Sequence, residues 1–281
     1  DKKFIYYFLT ALDFNQFSDK SAVPGINRNH VHEAAVSIPA LPEQRAVASV
    51  LSSLDDKIDL LHRQNTTLEA LAETLFRQWF VEEAKEEWEE KSLLDAIQLV
   101  GGGTPKTSVA EFWDGNIPWL SGGDIASNHK GFVNSADKSI TELGVAGSSA
   151  KLLPKYATVI SARGTVGKYC LLARPMAFSQ SNYGVLPKFQ GCYFFTYLLI
   201  NYAVAELQSA AYGSVFDTIT TTTFQAISIN APSESEVIGF ENKVGPYFQK
   251  ILTNTSQIQT LSNLRDTLLP KLMSGEVRVA Y

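Results

Sequence analysis

Residues 46–80 read AVASVLSSLDDKIDLLHRQNTTLEALAETLFRQWF. Val47, Leu51, Leu54, Ile58, Leu61, Asn65, Leu68, Ala72, Leu75 and Trp79 fall there in alternating steps of four and three. That is a sustained a/d seam with one polar position, the pattern of a long helix that pairs with another helix. Leu41-Pro42-Glu43-Gln44 opens it, and proline suits a first turn because its missing amide hydrogen has no partner to lose there.

The partner lies in the same chain. At a constant offset of 193 positions Pro39 meets Pro232, Glu43 meets Glu236, Ile58 meets Ile251 and Gln64 meets Gln257; Leu68, Leu71 and Leu75 meet Leu261, Leu264 and Leu268. Repeat arrays have periods of about 20–50 residues, so this is no solenoid. It is a two-fold design that uses one helix and its approach twice. The second seam reads Phe240, Val244, Tyr247, Ile251, Asn254, Ile258, Leu261, Arg265, Leu268 and Leu272, and stops near Gly275.

A register follows. If the helices run antiparallel about a pseudo-two-fold, Asn65 set opposite Asn254 lets two buried amides satisfy each other. Either alone would cost about 1–3 kcal/mol. The same register sets Leu61 against Ile258, Ile58 against Leu261, Leu68 against Ile251, Leu75 against Val244 and Ala72 against Tyr247. Its weak point is Leu54 against Arg265, which requires the arginine's stem to pack and its head to reach water. The alternative is a homodimer that pairs these helices between chains.

Composition sets outer bounds. The chain has 281 residues, 45% hydrophobic and 19% charged. No run of eighteen apolar residues suggests a membrane span, and no secretory signal pattern is present. Cys170 and Cys192, far apart and outside any CxxC spacing, read as reduced thiols of a cytoplasmic protein. The net charge of -5 argues at first against nucleic acid. Its distribution argues otherwise. Glu82, Glu83, Glu86, Glu87, Glu89 and Glu90 form an acidic run, whereas residues 143–205 hold no acid but carry Lys151, Lys155, Arg163, Lys168, Arg174 and Lys188. A local basic face on an acidic chain is compatible with DNA, because only the local field meets the phosphates.

The organisation read from this is α+β. Residues 1–40 look like the tail of a domain, with a short helix and a strand at 36–38; the apolar start at Phe4-Ile5-Tyr6-Tyr7-Phe8-Leu9 suggests that an upstream part is missing. Residues 41–80 form the first long helix, 81–232 a globular insert, and 233–281 the second long helix and tail. The insert has short apolar runs such as Ala157-Thr158-Val159-Ile160, read as strands, a helix from Tyr193 to Leu207 and a final strand at 227–229.

The insert's loops carry the candidate DNA-binding residues. Gly101-Gly102-Gly103-Thr104-Pro105-Lys106 is a turn whose backbone can approach a phosphate, with Thr104 and Lys106 as candidates. Neither it nor Gly164-Thr165-Val166-Gly167-Lys168 has P-loop spacing. Residues 116–124 follow an aromatic anchor, Trp119, and offer Ser121 and Asp124. Ser161-Ala162-Arg163-Gly164-Thr165 follows a strand and offers a guanidinium suited to guanine or phosphate, with Thr165 and Lys168 beside it. Phe178-Ser179-Gln180-Ser181-Asn182-Tyr183 offers amides that pair with adenine edges; the alternative is a turn tied by its own amides with Tyr183 in the core.

At these residues the chain resembles the specificity subunits of Type I restriction–modification enzymes. The motifs are Gly102-Gly103-Thr104-Pro105, Ile117-Pro118-Trp119-Leu120-Ser121, residues 161–167 and Ala40-Leu41-Pro42-Glu43-Gln44. The second approach departs from the pattern, with Ala231-Pro232-Ser233-Glu234-Ser235-Glu236 in place of the leucine–proline entry. The resemblance implies target-recognition domains alternating with two conserved long helices that pack antiparallel as a spacer. Residues 1–40 would then end a first recognition domain and 81–232 would be the second. Leu54, Ile58, Leu61, Asn65, Leu68, Leu75, Tyr247, Ile251, Asn254, Ile258 and Leu261 would form the helix pair and the docking surface. Double-stranded DNA, modification subunits and, through the complex, a restriction subunit are the implied partners. S-adenosylmethionine would sit on the modification subunits, with no cofactor in this chain.

No catalytic constellation appears. There is no Asn/Asp-Pro-Pro-Tyr/Phe motif, no PD-(D/E)xK pattern, and His30, His32, His62 and His129 show no zinc-ligand spacing. The expectation is recognition without catalysis; the rivals are a methyltransferase or nuclease with unrecognised motifs, or a purely structural coiled-coil scaffold. A helix of about 37 residues is about 55 Å long, on the order of sixteen base pairs, enough to span an unread spacer in a bipartite site.

Overall fold

The structure, a computed structural model, describes every residue except 15–24, 27, 34, 213–216 and 281. It divides into two compact units, residues 1–65 with 253–281 and residues 66–252. The long helices α3 (Leu41–Arg77) and α8 (Glu234–Ser274) contribute to both. Before α3 come α1 (Lys2–Ala11) and α2 (Arg28–Glu33).

The first unit is a helical pair with α1 laid on it. Asn254 Nδ2 donates to Asn65 Oδ1 at 2.8 Å, which puts both asparagines in one layer. The further contact of Arg265 with Asp55, rising on one helix and falling on the other, makes the pair antiparallel, as the register expects. The pairing is within one chain. The amides do not fully satisfy each other, because Asn254 Oδ1 is buried without a partner. The weak point of the register resolves itself one residue along the helix. Arg265 turns its guanidinium to Asp55, with Nη1 2.9 Å from Oδ1, and Asp55 also accepts from Tyr7 Oη at 2.5 Å. Phe4 and Tyr7 of α1 close an apolar cluster over Val47, Ala48, Leu51 and Leu272. The strand expected at 36–38 is not formed. Residues 35–40 have no regular structure, and among the described residues no strand pairs with them. A strand needs a ladder partner.

The second unit is α+β. A five-stranded sheet has the order β2-β9-β6-β7-β4. Its strands are β2 (Ile97–Gly101), β4 (Phe132–Val133), β6 (Thr158–Ser161), β7 (Tyr169–Leu172) and β9 (Asn182–Pro187). A second sheet sets β3 (Trp113–Leu120) between β5 (Lys138–Ile140) and β8 (Ala177–Phe178). A ribbon pairs β1 (Glu89–Ser92) with β10 (Ser228–Ala231) where the chain enters and leaves. Short helices α4 (Gly122–Ser127), α5 (Glu142–Ala146) and α7 (Thr221–Gln225) fill the connections. Helix α6 (Tyr193–Tyr212) buries Phe194, Phe195, Leu198, Leu199, Ile200, Ala203 and Leu207. It packs in one core with Ala72, Phe76 and Phe80 of the α3 side, Phe240, Val244, Phe248 and Ile251 of α8, and Ile160, Tyr169 and Val185 of the sheet.

Polar groups inside this unit form a chain. Tyr169 Oη donates to Asn201 Oδ1 at 2.5 Å, Asn201 Nδ2 donates to Glu73 Oε1 at 2.7 Å, and Lys130 Nζ lies 3.8 Å from Glu73. Beside it, burial first and the Glu73 carboxylate second push the Glu69 carboxyl up to about 7, against the Lys130 ammonium.

Two outcomes are expected. Asn65→Leu alone strips Asn254 of its better acceptor and costs about 1–3 kcal/mol in urea unfolding, whereas Asn65→Leu with Asn254→Leu recovers most of that loss by making the layer apolar. A double variant as unstable as the single one would contradict the layer. For Glu69, the folded value lies above the ordinary 4.5, so the native state binds more protons than the unfolded chain. Stability then falls as pH rises through this window. Glu69→Gln should stabilise at about pH 8 and have no effect at about pH 4; equal effects at both pH values would refute the assignment.

Candidate nucleic-acid interface

Strand direction decides which loops meet. β6 and β7 are antiparallel, so the hairpin loop 162–168 leaves the sheet at the Ser161 end. β9 begins at that end, with Asn182 opposite Ser161, and β2 finishes there, with Gly101 opposite Tyr183. β3 runs parallel to β8, pairing Leu120 with Phe178, which delivers Ser121 to the same edge. The four loops singled out in the sequence therefore converge.

Backbone contacts lock them together. Gly103 N donates to Phe178 O at 3.0 Å, Ser179 N to Leu120 O at 2.9 Å, and Ala162 N to Ser181 O at 3.0 Å. Thr165 Oγ1 donates to Gly122 O at 3.1 Å. Gly103 is glycine for lack of room: a Cβ there would lie 2.2 Å from the Ser149 carbonyl carbon. This brings residues 148–151, with the exposed Lys151, to the rim. Sequence reasoning placed Lys151 only in the acid-free stretch and missed that it joins this edge.

The candidate side chains divide by what they already bond. Lys106, Arg163 and Gln180 are exposed. Thr104, Ser121, Asp124, Thr165, Lys168, Ser181 and Tyr183 are half-buried. Ser121 and Asp124 are committed to each other as a capping box that starts α4: Ser121 Oγ donates to Asp124 Oδ2 at 2.6 Å, and Asp124 N donates to Ser121 Oγ at 3.3 Å. Asp124 Oδ1 also accepts from Asp137 N at 3.1 Å. Thr165, with Ser161 Oγ 2.9 Å away, closes the hairpin loop.

Asn182 is turned away from solvent. It is 1% exposed and its Nδ2 donates to Ser179 Oγ at 2.8 Å, so this amide ties the turn and is not presented to a base edge. Tyr183 packs edge-on to Phe224 at 6.0 Å against the core. Successive residues of β9 point to opposite faces of the sheet, and both faces are covered at this end, whereas Gln180 precedes the strand and stays out. His129 lies under the rim, held below the ordinary histidine range by burial first and the Lys168 ammonium second.

The acid-free stretch does not form one basic face. Arg163 and Lys168 flank the hairpin loop. Lys188 follows Pro187, the other end of β9, about 17 Å away. Lys155 and Arg174 bracket the same far end: Tyr156 N bonds Leu172 O, and Arg174 Nη2 donates to Asn116 O at 3.1 Å. The fold reverses direction between them, which a linear count cannot register. Among the described residues no cluster of three or more His, Cys, Asp or Glu could hold a metal ion, and no helix is long and apolar enough to cross a membrane.

Comparison with known proteins agrees with this geometry. The HindI specificity subunit of Haemophilus influenzae is 24% identical, over 92% of this chain and 72% of that protein. The MjaIX specificity subunit of Methanocaldococcus jannaschii is 25% identical, over 99% and 69%. The crystal structure of the Type I restriction–modification S subunit from M. genitalium has the same fold, with a TM-score of 0.66 over 97% of this chain and 72% of that one at 18% identity. The model of the Type I restriction modification DNA specificity domain matches residues 1–70 and 85–263. A match over so much of a chain whose loops converge on one sheet edge has one meaning: this chain belongs to the Type I restriction modification DNA specificity domain family.

Proposed function

We propose that this chain is a DNA-recognition subunit of a Type I restriction–modification complex, and that residues 81–232 read one half of a bipartite target. The observation that supports it is the rim: four loops locked by backbone hydrogen bonds, with Lys106, Arg163 and Gln180 left exposed on it. Its cations supply salt-dependent phosphate binding. Arg163 and Gln180 supply donors for base edges in the major groove. Ser121, Asp124, Thr165 and Asn182 act beneath them as the frame. The antiparallel helices set the distance to a second reading element and carry modification subunits, with exposed Leu60, Leu71 and Leu264 as contact points. We assign S-adenosylmethionine to those partners and no residue of this chain to it. In this reading the chain selects the site and does no chemistry on it.

The test begins by enriching duplexes from a randomised pool on the full chain, then measuring affinity for the enriched duplex and a scrambled one across a salt series. Arg163→Ala should lose about 1–3 kcal/mol on the enriched duplex and relax preference at one position, whereas Lys106→Ala should weaken both duplexes alike and reduce the salt slope by about one. An Arg163→Ala chain with unchanged preference would remove Arg163 from the reading set.

A further inference from the structure

The hairpin loop 162–168 leaves the sheet with an exposed arginine as its second residue, yet a base contact needs that arginine held to a fraction of an ångström. Within the loop, Ser161 Oγ donates to Arg163 O at 3.1 Å and Gly167 N donates to Ser161 O at 2.9 Å. These bonds shape the turn but do not fix it to the body. Ala162 N tied to Ser181 O and Thr165 Oγ1 tied to Gly122 O join it to the neighbouring loops, and two further contacts hold it from behind. Ile219 N donates to Ala162 O at 3.0 Å on one side. On the other, Gln208, next to the fully buried Leu207 on α6, reaches the loop and its Nε2 donates to Val166 O at 2.9 Å.

Gly167 shows how closely this glutamine is fitted. The residue has φ +78, in the left-handed region, and a Cβ there would fall 2.5 Å from Gln208 Cγ and 2.6 Å from Nε2. The positive φ alone calls for glycine here, and the glutamine fills the space that its missing side chain leaves. Asn201, seven residues earlier on the same helix, accepts from Tyr169 at the base of β7. Helix α6 thus holds the hairpin at its base and at its crown, and the same helix packs against Phe240 and Phe248 of α8.

We infer that Gln208 is a positioning residue for sequence reading: by holding Val166 and filling the space over Gly167, it fixes the direction in which Arg163 presents its guanidinium. The inference rests on the recognition reading above. Gln208 touches no nucleic acid in this scheme; it acts through the loop. Its loss should therefore cost discrimination and spare the sequence-independent part of binding.

The experiment uses the full chain with the enriched and scrambled duplexes as probes. Gln208→Met keeps a side chain of similar length over Gly167 and removes the donor. It is expected to lower the ratio of enriched to scrambled affinity by roughly ten-fold, close to the effect of Arg163→Ala, while leaving affinity and salt slope on the scrambled duplex unchanged. Arg163→Ala with Gln208→Met should discriminate no worse than Arg163→Ala alone, because the second change acts through the first. A glutamine that merely stabilised the fold would shift the unfolding midpoint and leave the ratio intact. An unchanged ratio in Gln208→Met, or losses that add in the double variant, would overturn the inference and leave the recognition reading standing. A wild-type chain that enriches no sequence would overturn both.

Discussion

The burial of α6 between sheet and helices is the constraint on which the second unit depends. The helix's first two turns, residues 194–200, are buried on every side and are apolar or hydrogen-bonded accordingly, whereas its second half keeps a solvent face at Tyr202, Ala205, Glu206, Ser209 and Ala210. Phe195 meets Phe80 at 5.0 Å and Phe76 at 5.8 Å, while Phe194 stacks on Phe248 at 4.6 Å. Each ring buries a large area, and edge-on and stacked contacts such as Phe195–Phe80 and Phe194–Phe248 add about 0.5–1.5 kcal/mol per pair beyond area alone. The cost of this placement falls on Glu241, whose carboxylate accepts from the Phe194 and Phe195 amides at 3.1 and 2.8 Å. Burial pushes its carboxyl up to about 7, although the amides favour the charged form. The carboxylate is retained because it serves the unpaired donors at the start of α6.

The internal repeat solves one packing problem twice with different chemistry. In the second unit Ala72, Ile200 and Phe248 are all buried in the apolar core. Shifted by 193 positions, their counterparts in the first unit are Arg265, Tyr7 and Asp55, joined by hydrogen bonds of 2.9 and 2.5 Å. Arg265 and Asp55 each keep about three-tenths of their side-chain surface exposed, so the pair avoids the full desolvation cost of a buried bridge. A polar triad and an apolar triad at equivalent positions cannot exchange partners without leaving a charge unpaired. That asymmetry, with the asparagine layer, selects one register from a seam that is otherwise repetitive.

The seam was legible because helical period survives without any knowledge of the partner: Val47, Leu51, Ile58 and Leu61 are all buried as their spacing requires. The loops were legible as turns, and their convergence followed from strand direction. Their individual side chains were not. Whether Asn182 lies in the exposed turn or in the covered strand depends on where β9 begins, and the polar run 179–182 does not mark that boundary. Ser121 and Asp124 looked like ligands for a phosphate or base and are instead a capping box, a pattern that Ser-x-x-Asp ahead of an apolar residue does announce. Gln208 gave no signal of its own, since its role depends on a glycine forty-one positions earlier that the fold brings against it.

The remaining tension is a chain of net charge -5 that would bind a polyanion, and its resolution is spatial. The acidic run leads into β1, whose Glu89 lies 2.9 Å from Lys91, while Lys85 pairs with Glu236. Those charges belong to the ribbon where the chain enters and leaves, beyond the far end of the sheet, and are partly neutralised by their own lysines. At the loop edge, Asp124 spends both oxygens on Ser121 and Asp137. Lys106, Lys151 and Arg163 are exposed there, with Lys168 half-buried beside them. At physiological ionic strength a field fades over about 8 Å, which is short beside the ~17 Å length of β9. A phosphate at the loop edge would therefore respond to these nearby cations and hardly at all to the glutamates at the other end. The total charge governs solubility and long-range approach; the sign of the local field is set by which end of each strand a residue occupies.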